Sequence, residues 1–365
     1  MLSKLIIVAP DTSRDSNFEL LRIVAMFMIV CHHIVVHGLE LYSGHGLNAI
    51  DGKESTLVIN EFINSFCIIG VNLFILISGY YSIKLNLKKV LSLALLISLY
   101  KIVRIAMIYI GTRTLSIEEI LSPLFPISYH CGWFVVEYFI LMFISPLLNT
   151  FVDKSFDANI KRQLIIFIYM LCFWGFARNM VPFSGGYSIW NFMLLYLIGR
   201  CIKVYDVSFT KESRNKYLLS YAVISILSAS LQLLEYFSGK IYFNFMGYNS
   251  PLVIYSSISL FAFFKTLTIQ NRRINYISAS MLSVWLMQEG AGLGSSYGYK
   301  IIGRGFLDFH WYGFAMIIII YVVGLFACAI IVDKLFKWLI SWKIEMITNN
   351  ARKVYVFIYI RLFSK

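Results

Sequence analysis

Long apolar runs separated by short polar segments fill most of the chain. A helical membrane span needs about 20 mostly apolar residues. The runs predict spans at 18–38, 60–82, 90–110, 131–151, 163–178, 188–203, 217–236, 250–268, 276–296 and 311–333, the fifth and sixth being short. No unit of solenoid length repeats along the chain, which excludes a stacked-repeat fold. The pattern predicts an all-α fold: a polytopic transmembrane bundle of about ten spans over residues 1–333, then a basic, aromatic cytoplasmic tail over 334–365. That tail is expected to lie along the inner membrane surface as an amphipathic segment.

Composition agrees with lipid as the solvent. Hydrophobic residues make 59% of the chain and charged residues only 14%, against roughly 25% charged in an ordinary soluble domain. A soluble chain of this size could not hide so much apolar surface in one core. Tyr, Phe and Trp at 17% suit interfacial belts. No Pro/Gly/Ser-rich linker breaks the chain, so one membrane domain is expected. Leu5 to Val8 is too short for the apolar region of a cleavable signal.

The net charge of +13 is distributed unevenly. Of the 32 lysines and arginines, 22 fall in alternate loops and in both termini, and 6 fall in the loops between them. The positive-inside rule puts the rich set, with both termini, in the cytoplasm. The basic charge is thereby explained by topology, and no aromatic-basic surface for nucleic acid is available outside the membrane. The six cysteines lie in or beside apolar runs without a CxxC pair, as free thiols would.

Ionisable groups at membrane depth are expensive and mark candidate function. They are Arg22, His32, His33, Lys101, Arg104, Glu137, Lys265 and Glu289. Arg22 and His33 are eleven residues apart, which on a helix returns to within about 20° of the same face and rises about 16 Å. Met26 and Ile29 lie between them on that stripe, and His32 points about 80° away. A cation near the inner surface is thus aligned with an imidazole deeper in the bilayer. The spacing suits a long ligand with an anionic head and a reactive far end, such as an acyl thioester of coenzyme A. A neutral imidazole there could take the proton of an attacking hydroxyl. Lys265, near the end of its span, is expected to snorkel, and Lys101 with Arg104 to pair with Glu137 or Glu289. His33 and His37 are an i, i+4 pair without a third ligand, so no metal is expected.

The first span resembles the opening of the acyltransferase-three family of membrane proteins, whose hallmark is an Arg and a His separated by ten residues. Arg22 and His33 match it. A Phe-rich stretch ending in Ser-Gly follows as VNLFILISGYY, with Ser78 and Gly79, and then a Trp-aromatic, Tyr, Pro, Asn run as GWFVVEYFILMFISPLLN, with Trp133, Tyr138, Pro146 and Asn149. The likeness covers roughly 17–150 at motif level and is architectural beyond. Two departures stand out. Lys88 and Lys89 occupy the region where many members carry two arginines, and Gln288 in VWLMQEG stands where many carry a histidine. Lysine can hold phosphate, but without the bidentate geometry of arginine.

The resemblance implies an integral membrane O-acyltransferase of the bacterial plasma membrane. It would move an acetyl group from acetyl-coenzyme A, a co-substrate and not a bound cofactor, to a hydroxyl of a surface polysaccharide or lipid-linked sugar. His33 is then expected as base, Arg22 as donor-binding and catalytic cation, and Glu137 as the acid that orients His33 or neutralises a cation. Lys88 and Lys89 are expected at the donor phosphates, and Ser78, Trp133, Tyr138 and Glu289 along the pocket. No extracytoplasmic esterase-like domain follows the tenth span, so transfer is expected within the membrane domain or on a partner protein. The alternative class is a secondary transporter or flippase for an anionic or sugar substrate. The absence of an internal repeat, and of prolines inside spans other than Pro146, favours the enzyme. A sensor or scaffold would leave the buried charges of the first span unexplained.

Overall fold

A computed structural model describes residues 14–39, 54–128, 132–152, 157–178, 184–239, 243–290, 298–308 and 310–363. Every regular element among them is helical. In order they are α1 Ser16–His33, α2 Glu54–Cys67, α3 Gly70–Tyr81, α4 Leu87–Thr112, α5 Ile117–Leu121, α6 Gly132–Val152, α7 Ala158–Arg178, α8 Ile189–Val204, α9 Arg214–Ser238, α10 Pro251–Lys265, α11 Arg272–Ser278, α12 Met281–Trp285, α13 Tyr299–Asp308 and α14 Trp311–Phe363. Two single π-helical turns extend this set, Ile34–Gly38 directly after α1 and Leu286–Gly290 directly after α12.

Six of these helical stretches are long and apolar enough to cross a membrane: Ser16–Gly38, Leu57–Tyr81, Leu87–Thr112, Gly132–Val152, Arg214–Ser238 and Tyr312–Ile340. The expected count of ten is therefore not carried by length and composition alone. α8 has 16 residues and α10 has 15. The expected span 276–296 is broken into α11, α12 and a π turn, and residues 291–297 lie outside the described set. The expected span 60–82 is two helices, α2 and α3, with a turn at residues 68–69. The tail expected to begin at 334 continues α14 without a break.

The bundle closes around α3, where Leu73, Ile75, Leu76 and Ile77 are fully buried. Close approach needs small residues, and the glycines supply it. A Cβ on Gly79 would lie 2.1 Å from the carbonyl oxygen of Tyr196, and one on Gly199 would lie 2.2 Å from that of Leu76. α3 and α8 therefore meet backbone to backbone. Gly70 does the same for α1, where a Cβ would lie 2.7 Å from Ala25 O.

Polar side chains pin the remote elements. Asp333 on α14 is buried and accepts hydrogen bonds from Ser280 Oγ at 2.6 Å, Ser283 Oγ at 2.9 Å and Lys337 Nζ at 2.7 Å. Asn271 caps α11 by accepting from the N–H groups of Arg273 and Ile274. Lys265, expected to snorkel, donates to Val207 O at 2.6 Å and lies 5.0 Å from the Phe209 ring centroid. Lys101 is buried and donates to Phe125 O at 3.4 Å. The five described cysteines are free.

Candidate active site

Two chambers line up along α1. The arginine chamber, about 310 Å³, is walled by Arg22, Met26 and Ile29 of α1, by Val71, Phe74 and Ser78 of α3, by Leu93 of α4, by Phe134, Val135 and Tyr138 of α6, and by Ser278, Ala279, Met281, Leu282 and Trp285 of the α11–α12 segment. The histidine chamber, about 510 Å³, is walled by His32, His33, His37, Asn64, Trp133, Tyr187, Gln232, Asn244 and Tyr248 among others. Along α1, Arg22, Met26 and Ile29 line one chamber and His33 the other.

Arg22 is held by Glu19, one turn back on α1, which also accepts a hydrogen bond from Ser278 Oγ of α11. The guanidinium lies 5.8 Å from the Tyr81 ring centroid. Glu19 is buried, and it was missed from the sequence as a member of the site. An acid at i−3 from a basic residue on a helix is the signal that could have found it.

His33 has its Nδ1 3.1 Å from Glu289 Oε1, within ion-pair distance though off the direction of a hydrogen bond. Glu289 also accepts a hydrogen bond from Tyr299. The π turn Leu286–Gly290 carries Glu289 and the π turn Ile34–Gly38 carries His37. Such turns insert an extra residue and re-aim side chains, frequently at functional sites. The acid against His33 is thus Glu289, expected along the pocket or as a partner of Lys101 and Arg104. Glu137, expected at His33, sits elsewhere. Its carboxylate meets the backbone N–H of Ile189 at the start of α8, with Oε2 buried and without a hydrogen-bond partner. A helix N-terminus offers unpaired N–H groups and a favourable dipole for such an acid.

His32, about 80° from the Arg22 face, turns to a neighbouring helix: its Nδ1 lies 2.6 Å from Asn64 Oδ1 of α2, and it also lines the same chamber as His33. The chamber is wide enough to wrap around the end of α1, so neighbours about 100° apart on the helix both reach it.

Trp133 packs its ring 4.7 Å from Tyr187 and 5.4 Å from Tyr248, and these two lie 5.2 Å apart. Burial pushes the hydroxyls of Tyr187 and Tyr248 above their usual range, so both stay neutral. Ser78 donates to Phe74 O at 2.8 Å and lies 3.5 Å from the Tyr138 hydroxyl. Lys88 and Lys89 are exposed at the start of α4 and line neither chamber, but Lys89 is one turn before Leu93, which does.

These features define a polytopic helical membrane protein in which a partly buried cation and an acid-paired imidazole face two cavities along one helix. The sequence profile of acyltransferase family 3, described as an acyltransferase domain, matches residues 15–334. The chain belongs to that family of membrane acyltransferases. Comparison with curated proteins and with solved structures gave no match.

Proposed function

We propose that this acyltransferase moves an acetyl group from cytoplasmic acetyl-coenzyme A to a hydroxyl of a surface polysaccharide or lipid-linked sugar, in the bacterial plasma membrane. The observation that carries the reading is the contact of His33 with Glu289 on the wall of the histidine chamber, about 16 Å along one helix from Arg22. The donor's pantetheine arm fits the largely apolar arginine chamber, with its anionic head toward Arg22, Lys88 and Lys89. The acceptor fits the histidine chamber, where Trp133, Tyr187 and Tyr248 offer ring faces and Asn64, Gln232 and Asn244 offer hydrogen-bonding groups.

In the proposed reaction a small rotation of the His33 ring brings its Nδ1–H onto Glu289, 3.1 Å away, as a triad acid orients its base. Nε2 is then the basic nitrogen. It takes the proton of the acceptor hydroxyl as that oxygen attacks the thioester carbonyl. The carbon–sulfur bond breaks, the acyl group becomes an ester, and the coenzyme A sulfur receives the proton from His33. Mass spectrometry of surface glycans with and without the gene tests the whole reading. Loss of sugar-bound acetyl is expected, and an unchanged glycan profile would overturn it.

The topology proposed with this function has ten crossings and cytoplasmic termini. α7, α8, α10 and the interrupted 272–290 segment supply the four beyond the six apolar stretches. Reporter fusions after residues 50, 120, 240 and 305 are expected to read outside, and after 87, 158, 210, 272 and 350 inside. An outside C-terminus would break this arrangement.

Replacing Lys88 and Lys89 together with Gln is expected to raise the donor KM and leave the acceptor KM nearly unchanged. The effect should shrink as salt rises, because exposed charges are screened within about 10 Å at 0.1 M. Donor affinity insensitive to both substitution and salt would leave these lysines a topological role only.

A further inference from the structure

The level at which the two chambers meet is marked by lining residues on two elements and bordered by a third. At the α2–α3 junction Ile68 faces the histidine chamber and Val71 the arginine chamber. On α6 the consecutive residues Trp133 and Phe134 face the two chambers in turn. On α12 Trp285 faces the arginine chamber, and the π turn that carries Glu289 starts at the next residue.

Aromatic rings fill this level. Trp133 and Phe134 are 6.2 Å apart, edge to face, and Phe134 is 5.7 Å from Trp285. The rings are held from behind. Phe134 stacks on Tyr138 at 5.8 Å and meets Phe192 at 5.8 Å. Trp285 closes over Gly132, which has φ +54, and where a Cβ would lie 2.9 Å from the indole. Glycine at that position both adopts the left-handed backbone and leaves room for the ring. The wall is therefore packed and braced, and the rings cannot swing aside without displacing their neighbours.

Resting on the acyl-transfer reading, we infer that Phe134 and Trp285 select the acyl group by size. A donor arm lying in the arginine chamber must present its thioester carbonyl across this wall to an acceptor oxygen activated by His33. The acyl tail then lies against the two rings. A methyl group needs little room there. Each further methylene must be forced against braced aromatic side chains, and one methylene in a fitted apolar pocket typically changes kcat/KM about 10–200-fold. Nothing in the Arg-to-His spacing encodes this selection; it comes from rings contributed by α6 and α12.

The test uses membranes that carry the full-length protein and its native acceptor. They are supplied with labelled acetyl-, butyryl- or hexanoyl-coenzyme A, and the label transferred to the glycan fraction is measured. Wild-type protein is expected to transfer butyryl at least ~10-fold less well than acetyl. Trp285→Leu and Phe134→Ala are each expected to raise the butyryl-to-acetyl ratio at least ~10-fold. Phe306→Leu, whose ring packs on Phe314 and lines neither chamber, should leave the ratio alone. A wild-type profile that is flat from acetyl to hexanoyl overturns the inference without any variant. So does an unchanged ratio in folded variants that still transfer acetyl, and both of those results leave the acyl-transfer reading standing. Absence of transfer from every acyl-coenzyme A in wild-type membranes would instead remove that reading, and the inference with it.

Discussion

Replacing His33 with Ala is expected to remove acyl transfer almost completely while the protein still inserts and still binds donor. Loss of a general base typically lowers the rate about 10²–10⁴-fold. The expectation rests on the placement of His33, with Nδ1 against Glu289 and its ring on the wall of the histidine chamber. Glu289→Gln should lower kcat with little change in donor KM, because this residue positions His33 and touches no donor in the proposed reaction. His32→Ala should keep most of the activity and lose stability. His32 lies 2.6 Å from Asn64 Oδ1, and leaving a buried polar group without its partner costs about 1–3 kcal/mol. An inactive His32→Ala beside an active His33→Ala would exchange the two assignments. Activity in both would return the first span to a structural role, and uptake of substrate into vesicles would then test the transporter class.

The second large effect is one of stability. Asp333→Ala is expected to destabilise the bundle by about 2–6 kcal/mol, because two buried hydroxyls, Ser280 and Ser283, lose their acceptor at about 1–3 kcal/mol each. Lys337 is half exposed and can turn to solvent, so its share is small. The bonds join α12 to α14, and α12 contributes Trp285 to the arginine chamber. Thermal aggregation of detergent-solubilised protein should therefore begin at a lower temperature. At low temperature the surviving folded fraction should retain its rate per molecule. A melting profile unchanged from wild type would show that α14 is held by other contacts. The outcome differs in kind from His33→Ala, which should alter rate and leave melting unchanged.

Both effects depend on residues that the sequence discloses to very different degrees. Helical spans, the bias of basic loops and the alignment of Arg22 with His33 all follow from local rules. A span is written in consecutive apolar residues, and two positions eleven apart share a helix face whatever surrounds them. On that basis the first span, the all-helical class and the family likeness were legible. Glu19 was legible in principle through its i, i+3 relation to Arg22.

The partner of His33 was not legible. Glu137 and Glu289 are both single acids in apolar runs, and no local pattern distinguishes them. Packing distinguishes them: Glu137 meets the N-terminus of α8, while a π turn aims Glu289 at His33 and Tyr299. That His32 shares the chamber of His33 was hidden for a related reason. A helical wheel gives direction about an axis, but it does not give the width of the cavity beside that axis. The breaks at residues 68–69 and between α11 and α12 were hidden as well, because the first falls on two isoleucines and the second on Ala279 and Ser280, with no charge, Gly or Pro inside either. Which faces meet was decided by backbone approach at Gly70, Gly79 and Gly199, and by Asp333 reaching across to Ser280 and Ser283. Sequence thus determined the helices and the polar groups each one carries, since both are local properties. Tertiary structure alone decided which of those groups share a chamber, since that depends on contacts between segments far apart in the chain.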